Sequence, residues 1–272
     1  MTKAISPDTS AARRFGGIAR LYGDAGLARL QAASVCVIGV GGVGSWVAES
    51  LARSAVGSLR LIDMDIVAES NINRQILADE ESLGRDKVAV MRERILRINP
   101  SCEVCAVDEF IGSDNLAEQL GDKVDYVVDC IDDFRIKAAL IAHCKRYRIR
   151  LICIGGAGGQ RDPRLIREAD MSRTQHDVLL AKTRKLLRQE YGFARNPKRS
   201  FGVACIYSDE QLVYPDGAGG LSAQRPVRQD DTPQSNALNC AGGLGSVTHV
   251  TAAFGLFASA HVINKLVCDV VG

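Results

Sequence analysis

The chain has 272 residues, 46% of them hydrophobic and 24% charged, with 34 Lys or Arg against 32 Asp or Glu. That composition excludes a disordered chain, a collagen-like repeat or a small disulfide scaffold, and the length suffices to bury a substantial core as one large domain or two intimate lobes. A net charge of +2 argues neither for nor against a nucleic-acid partner, so only its distribution is informative.

Residues 1–12 are polar, lack the apolar core of a secretory signal, and read as a disordered leader. Leu27 to Ala33 is amphipathic and leads into an apolar run, Val35 to Ile38. That run ends in Gly39-Val40-Gly41-Gly42-Val43-Gly44, an Ala-rich helical segment follows, and a second apolar run, Leu59 to Ile62, closes on Asp63. The order is strand, glycine turn, helix, and strand carrying an acid. Glycines at Gly39, Gly41, Gly42 and Gly44 let backbone approach a phosphate, the helix N-terminus offers it unpaired N–H groups, and Asp63 stands where a ribose hydroxyl could donate to it. These features point to a nucleotide and no further.

The next stretch narrows the choice. Asp65, Asn71, Arg74 and Gln75 follow, then Lys87 in the first turn of a helix predicted over Gly84 to Asn99, where Val88, Met91, Ile95 and Ile98 recur at helical spacing. A cation is unfavourable at a helix N-terminus, and a triphosphate needs more side-chain cations than a dinucleotide does. Arg74 and Lys87 could supply them. The third strand is predicted over Cys102 to Val107 and the fourth over Asp125 to Cys130, ending in Ile131-Asp132-Asp133. Asp132, at the carboxyl end of a parallel strand, would face the ligand and could hold magnesium, while Asp133 is placed to cap the helix Phe134 to Arg148. A fifth strand, Arg150 to Ile154, runs into Gly155-Gly156-Ala157-Gly158-Gly159-Gln160, where backbone is pressed against a ligand or against a neighbouring strand.

The second half is more basic. From Arg161 to Arg199 there are eleven Lys or Arg against five Asp or Glu, a local excess of +6. Val178 to Tyr191 reads as an exposed basic helix. Its Arg184, Lys185 and Arg188 could follow a phosphate backbone, or simply form a solvated face. Gly202 to Tyr207 and Gln211 to Tyr214 read as paired strands. Residues 215–239 read as a mobile loop that delivers Cys240, a candidate nucleophile beside Ala241-Gly242-Gly243. Val247 to Ile263 is apolar enough to suggest a membrane span, but its His249 and His261 favour a buried or dimer-interface helix. Nine cysteines, an odd number, with Cys36, Cys105, Cys153 and Cys205 inside predicted strands, indicate buried thiols in a reducing compartment. Cys102 and Cys105 form a CxxC without a second pair, so no structural zinc is expected.

The ordered set of glycine loop, Asp63, Asn71, Arg74, Gln75, Lys87 and Asp132 resembles the adenylating enzymes of the ubiquitin-activating superfamily. The resemblance implies an α/β fold: a Rossmann-like open, mostly parallel sheet with helices on both faces. A smaller C-terminal lobe with antiparallel strands and a long apolar helix would extend it. Residues 1–160 would form the ATP-binding adenylation lobe and residues 161–272 a basic substrate lobe, in one continuous unit.

With no zinc cysteines, Phe15-Gly16-Gly17-Ile18-Ala19-Arg20-Leu21-Tyr22-Gly23 near the start and a basic second lobe, the chain resembles the branch that dehydrates threonylcarbamoyladenosine in tRNA. That branch implies ATP and Mg2+, a tRNA substrate, a homodimer, a cytoplasmic location and a possible cysteine desulfurase or sulfur-acceptor partner. In the superfamily an arginine of the first helix reaches the triphosphate, often across the dimer. Gly17 occupies the usual position here, so Arg20, with Arg14 behind it, is the substitute. Two rivals are an adenylyltransferase for the Gly-Gly terminus of a sulfur-carrier protein, and a nicotinamide dehydrogenase or non-catalytic nucleotide-binding scaffold.

Overall fold

The computed structural model describes residues 7–121, 123–196, 198–216, 218–224 and 244–268, with side chains from Ala12 onward. Five strands, β1 (Ser34–Ile38), β2 (Ser58–Ile62), β3 (Glu103–Val107), β4 (Tyr126–Asp129) and β5 (Leu151–Ile154), lie parallel in the order β3-β2-β1-β4-β5. The sheet continues through β7 (Ala204–Ser208), parallel to β5, and ends on β6 (Ile166–Asp170), antiparallel to β7. The strand order reverses between β1 and β4, and there the carboxyl ends of the strands open a crevice for a ligand.

Both faces of the central strands β1, β4 and β5 are covered, which is why they read as short apolar runs. Along β1, Val35 and Val37 enter one core and Cys36 and Ile38 the other. The first core packs under α2 (Gly44–Arg53), α3 (Lys87–Ile98) and the long α7 (Thr248–Cys268). The second packs under α5 (Phe134–Tyr147), α6 (Val178–Glu190) and the short α4 (Leu116–Leu120). Helix α7 lies close on α2 because residue 255 is glycine: a methyl there would meet the Trp46 Cβ at 2.8 Å and the Val43 carbonyl at 2.9 Å. Val250, Phe254, Ala258 and Val262 of α7 are buried, while Leu256 and Phe257 remain about half exposed on its outer face. Among the described residues α7 is the one helix long and apolar enough to cross a membrane, and half of it is buried inside the protein.

Four expectations need correction. Residues 7–12 are not a disordered leader but the start of α1 (Pro7–Ala32), where Pro7 fits the first helical turn, and the helix kinks at Gly23 (φ 75°); residues 1–6 lie outside the described residues. The segment Gly202–Tyr207 does not pair with Gln211–Tyr214. It forms β7 between β5 and β6, while Tyr214–Pro215 (β8) pairs with Leu221–Ser222 (β9). Strand β6 itself, Ile-Arg-Glu-Ala-Asp, carries no apolar alternation because it is an edge strand with two residues facing water. Helix α6 is half-buried, not an exposed basic rod: Leu179, Leu180, Thr183 and Leu187 are buried, and Leu180 and Leu187 join the second core. Finally, Cys105 is exposed, although Cys36, Cys153 and Cys205 are buried.

Candidate active site

The crevice at the ends of β1 and β4 encloses about 860 Å³, a size suited to a nucleotide. Its floor is the glycine loop. Gly39 adopts φ 84°, and a methyl on Gly44 would sit 1.8 Å from the Gly39 carbonyl, so the turn closes only without side chains. Helix α2 then starts with no side-chain cap and no acid in its first turn; the Ser45 and Trp46 amides turn back to the Gly41 and Val43 carbonyls at 3.1 Å each, which leaves the Gly42 to Gly44 amides of the loop for an anion. Asp63, at the end of β2, accepts from the Val40 amide at 2.6 Å and the Asp65 amide at 2.9 Å. It therefore ties the loop to β2 and keeps a second lone pair on each oxygen for a ligand. Burial pushes its pKa above the usual carboxylate value, against the pull of Lys87.

The opposite wall comes from the 3-10 turn Glu69–Asn71 and the residues after it. Asn71 is buried and accepts the Ala68 amide at 3.1 Å, which fixes the turn. The Arg74 guanidinium donates to the Ser70 carbonyl at 2.6 Å and to Asn73 Oδ1 at 3.2 Å, and its stem runs within 3.5 Å of where a Gly42 methyl would be. Trp46 of α2 donates to the Arg74 carbonyl at 3.0 Å. Gln75 is buried beside Gly41 with Oε1 unpartnered. Lys87 is only 5% exposed, and its ammonium pairs with Asp65 at 2.6 Å, so Asp65 partners that lysine within the crevice.

Asp132 lines the crevice beyond β4, exposed and without an ion pair or hydrogen bond among the described residues. Asp133 caps α5 as expected, accepting from the Arg135 amide at 2.7 Å and the Ile136 amide at 3.2 Å. Beneath them lies a pair that the sequence did not suggest. Asp129 and Lys137, both fully buried, meet at 2.8 Å; the same ammonium reaches the Asp129 carbonyl at 3.2 Å, and Asp129 Oδ1 accepts the Ile131 amide at 3.1 Å. Burial works against the Lys137 charge, but Asp129 outweighs it and raises the lysine pKa above normal. Asp177, also buried, caps α6 through the Leu180 amide at 2.8 Å and holds the Gly156 amide at 2.9 Å. Gly155 must be glycine, because a methyl would fall 2.0 Å from Asp177 Oδ2, whereas Gly156 has no neighbour within 4 Å of that position.

Arg20 is exposed and lies outside the crevice of its own chain, and Arg14 donates to the Ile98 carbonyl at the end of α3. Arg184 is engaged internally, donating to the carbonyls of Met171 and Thr174 at 3.0 Å each and to the Thr174 hydroxyl at 2.7 Å. Arg188 donates to the Ala194 carbonyl at 3.3 Å and covers the Phe201 ring, leaving Lys185 as the exposed member of the three. Burial pushes the Cys130 thiol far above its ordinary pKa, and Cys240, with most of segment 215–239, lies outside the described residues. The sequence reading missed Met64, Phe110 and Ile111, which give the crevice an apolar rim; an apolar pair just past β3, on the ligand side of the sheet, was the available signal.

Residues 16–268 match the ThiF family model. The chain belongs to the ThiF family. Within the ThiF family it is 49% identical over 254 residues to the tRNA threonylcarbamoyladenosine dehydratase of Haemophilus influenzae, covering 93% of each chain. The crystal structure of the E. coli tRNA N6-threonylcarbamoyladenosine dehydratase in complex with ATP superposes with a TM-score of 0.84 at 43% identity, over 97% of both chains. The same enzyme in complex with AMP gives 0.85 at 42%, over 99% of this chain and 100% of that one. The rival likeness to sulfur-carrier adenylyltransferases is distant: the E. coli molybdopterin-synthase adenylyltransferase is 32% identical over 123 residues, 45% of this chain.

Proposed function

We infer that this chain uses ATP to dehydrate and cyclise threonylcarbamoyladenosine beside the anticodon of tRNA, through an acyl-adenylate. One observation carries the reading: likeness to the dehydratases runs through both halves of the chain, whereas likeness to the carrier adenylyltransferase covers less than half.

A carboxylate is a poor electrophile because oxide is a poor leaving group. In the proposed reaction the threonyl carboxylate attacks the α-phosphorus of ATP and pyrophosphate leaves. A nucleophilic atom within the modification then attacks the acyl carbon, releasing AMP and a proton. The product lacks one water, and ring closure within a single substrate is already favoured by proximity. In this scheme the glycine-loop amides at the start of α2 and Asp63 hold the nucleotide, and the apolar rim of Met64, Phe110 and Ile111 receives its base. Arg74 and Lys87 stabilise charge on the departing pyrophosphate, and the Gly155–Gly158 backbone lets the carboxylate approach. Lys87 exchanges Asp65 for phosphate when ATP binds.

Asp132, an unpaired oxygen donor facing the crevice, fits Mg2+, which takes one or two carboxylates and completes its shell with phosphates and water. Bound there, the ion would neutralise triphosphate charge. Arg20 does not line its own crevice, which favours a homodimer in which it serves the partner's triphosphate. The proposed division of labour gives ATP to residues 1–160 and the RNA to residues 161–272, in a cytoplasmic enzyme. A cysteine desulfurase partner would use a thiol other than half-buried Cys130, whose pKa is pushed up, such as Cys240.

The test measures pyrophosphate release from ATP and magnesium with threonylcarbamoyladenosine-bearing tRNA, against a carrier protein ending in Gly-Gly. Release with the tRNA, and loss of one water mass from the nucleoside, is expected. Release with the carrier alone would overturn the reading.

A further inference from the structure

A second hollow, of about 620 Å³, opens at the other end of the sheet, at the amino ends of β4 and β5. It shares no lining residue with the nucleotide crevice. Lys145, Arg148, Arg150 and Lys265 line it, with Glu168 and Asp170 as its two acids.

Both acids are committed. Asp170 receives the amides of Ser172, Phe201 and Val203 at 2.9–3.0 Å and the Ser200 hydroxyl at 2.7 Å. Glu168 accepts from His261 Nδ1 at 2.8 Å. With its Nδ1 proton given to Glu168, His261 takes the Tyr126 hydroxyl on Nε2 at 2.9 Å. This chain runs from β6 through α7 to β4, and Lys145 donates to the Gly202 carbonyl at 3.3 Å. Arg148 and Lys265 are exposed, and their side chains have no ion pair or hydrogen bond among the described residues. Arg148 also stands at φ 57°, in the left-handed position after α5 where glycine is favoured. The helix dipole does not call for it, since Lys145 and Arg146 already occupy the last turn.

The geometry points to this hollow as a docking site for the phosphate backbone of the tRNA, remote from the nucleoside being modified. The inference rests on the tRNA reading above. It replaces Arg184 and Arg188, which are spent on carbonyls and a ring, with Arg148 and Lys265, whose charged ends remain available to phosphate. The RNA would then be held at two separate places, the modified nucleoside at the crevice and a backbone segment here. The hollow would contribute to tRNA affinity without touching ATP.

The test uses the full chain carrying Arg148→Gly with Lys265→Gln. Glycine is at ease at φ 57°, so the first change removes charge while relieving the backbone. Affinity for the tRNA is measured between about 50 and 200 mM salt, alongside the KM for tRNA and for ATP. Two lost phosphate contacts should flatten the plot of log affinity against log salt by about 1.4. The KM for tRNA should rise roughly tenfold, with the KM for ATP unchanged. Parental slope and KM in the double variant overturn the assignment. So does displacement of inorganic phosphate from the hollow with no change in RNA affinity, which would mark a free-anion site. Should the double variant melt early, Lys265→Glu alone decides, because that side chain is exposed and makes no internal bond. If the parent binds tRNA with the stated slope but releases no pyrophosphate, the dehydratase reading fails while the docking site stands.

Discussion

Replacing Lys137 by methionine keeps the length of the side chain and removes its charge. It leaves Asp129 fully buried, one oxygen serving the Ile131 amide and the other without any partner. Breaking a buried pair from one side costs about 3–5 kcal/mol, because an uncompensated charge stays behind. Taken against the 5–15 kcal/mol typical of a native chain, that is a large fraction of the total. Asp129→Asn keeps an oxygen for the Ile131 amide and for the lysine, so its cost should be nearer 2 kcal/mol. The double variant removes both charges and should lose less than the two single variants together, giving a coupling energy of about 2 kcal/mol in a double-mutant cycle. Urea unfolding of the four proteins at pH 7 supplies the numbers, with pyrophosphate release measured on the same samples. The Ile131 amide leads directly to Asp132, so Lys137→Met should also lower kcat at saturating ATP. A loss below 1 kcal/mol for Lys137→Met, or strict additivity in the cycle, would show that the lysine is not paired as described.

Asp132→Ala should abolish AMP formation with the melting temperature unchanged, since the side chain is exposed and unbonded; undiminished turnover would remove it from the site. Gly155→Ala forces Asp177 off the Gly156 amide and should destabilise by about 1–3 kcal/mol, whereas Gly156→Ala meets no protein atom. Gly156→Ala should therefore melt like the parent and raise the KM for ATP or tRNA at least tenfold, and parental kinetics would show that no substrate packs there. Burial raises the pKa of Asp170, but hydrogen bonds from Ser172, Phe201 and Ser200 outweigh it and hold the carboxyl below the usual carboxylate range. Its ionised form thus stabilises the fold above an unfolded pKa of about 3.9, and that stability is lost as pH falls below it. Asp170→Asn should cost roughly 1–2 kcal/mol at pH 7, after allowing for screening of a part-exposed carboxylate, and the difference from the parent should shrink towards pH 3.

What could be read in the sequence was whatever local chemistry dictates. Val35 to Ile38 and Leu59 to Ile62 announced buried parallel strands, Asp133 announced a cap, and the glycine loop announced a turn that admits no side chains. Illegible features depend on partners distant in sequence. Strand β6 lacks an apolar pattern because only its pairing with β7 makes it a strand. Arg184 reads as a surface cation until α6 docks and turns it toward the carbonyls of Met171 and Thr174. Lys137 lies in a helix of ordinary composition, and no pattern rule buries a lysine; its counterion sits eight residues earlier, on a different element.

The same dependence explains how the crevice can be open and still rigid. A switch-point cleft is lined by loops, and loops are the least restrained parts of a fold. Here four of the lining loops are tied from below or behind by buried or half-buried groups. Asp63 holds the glycine loop, Asn71 and Trp46 hold the Arg74 segment, Asp129 with Lys137 holds the approach to Asp132, and Asp177 holds Gly156. Helix α7 adds a tie from outside, since Ser246 just before it accepts from the Asn73 amide group and Thr248 donates to the Asn73 carbonyl. Reaction of a carboxylate with a phosphorus atom needs its partners placed to within a fraction of an ångström, and such placement comes from groups that themselves touch no substrate. The buried charges are therefore best understood as supports for the loops that face the substrate, and their removal should lower turnover before it prevents binding.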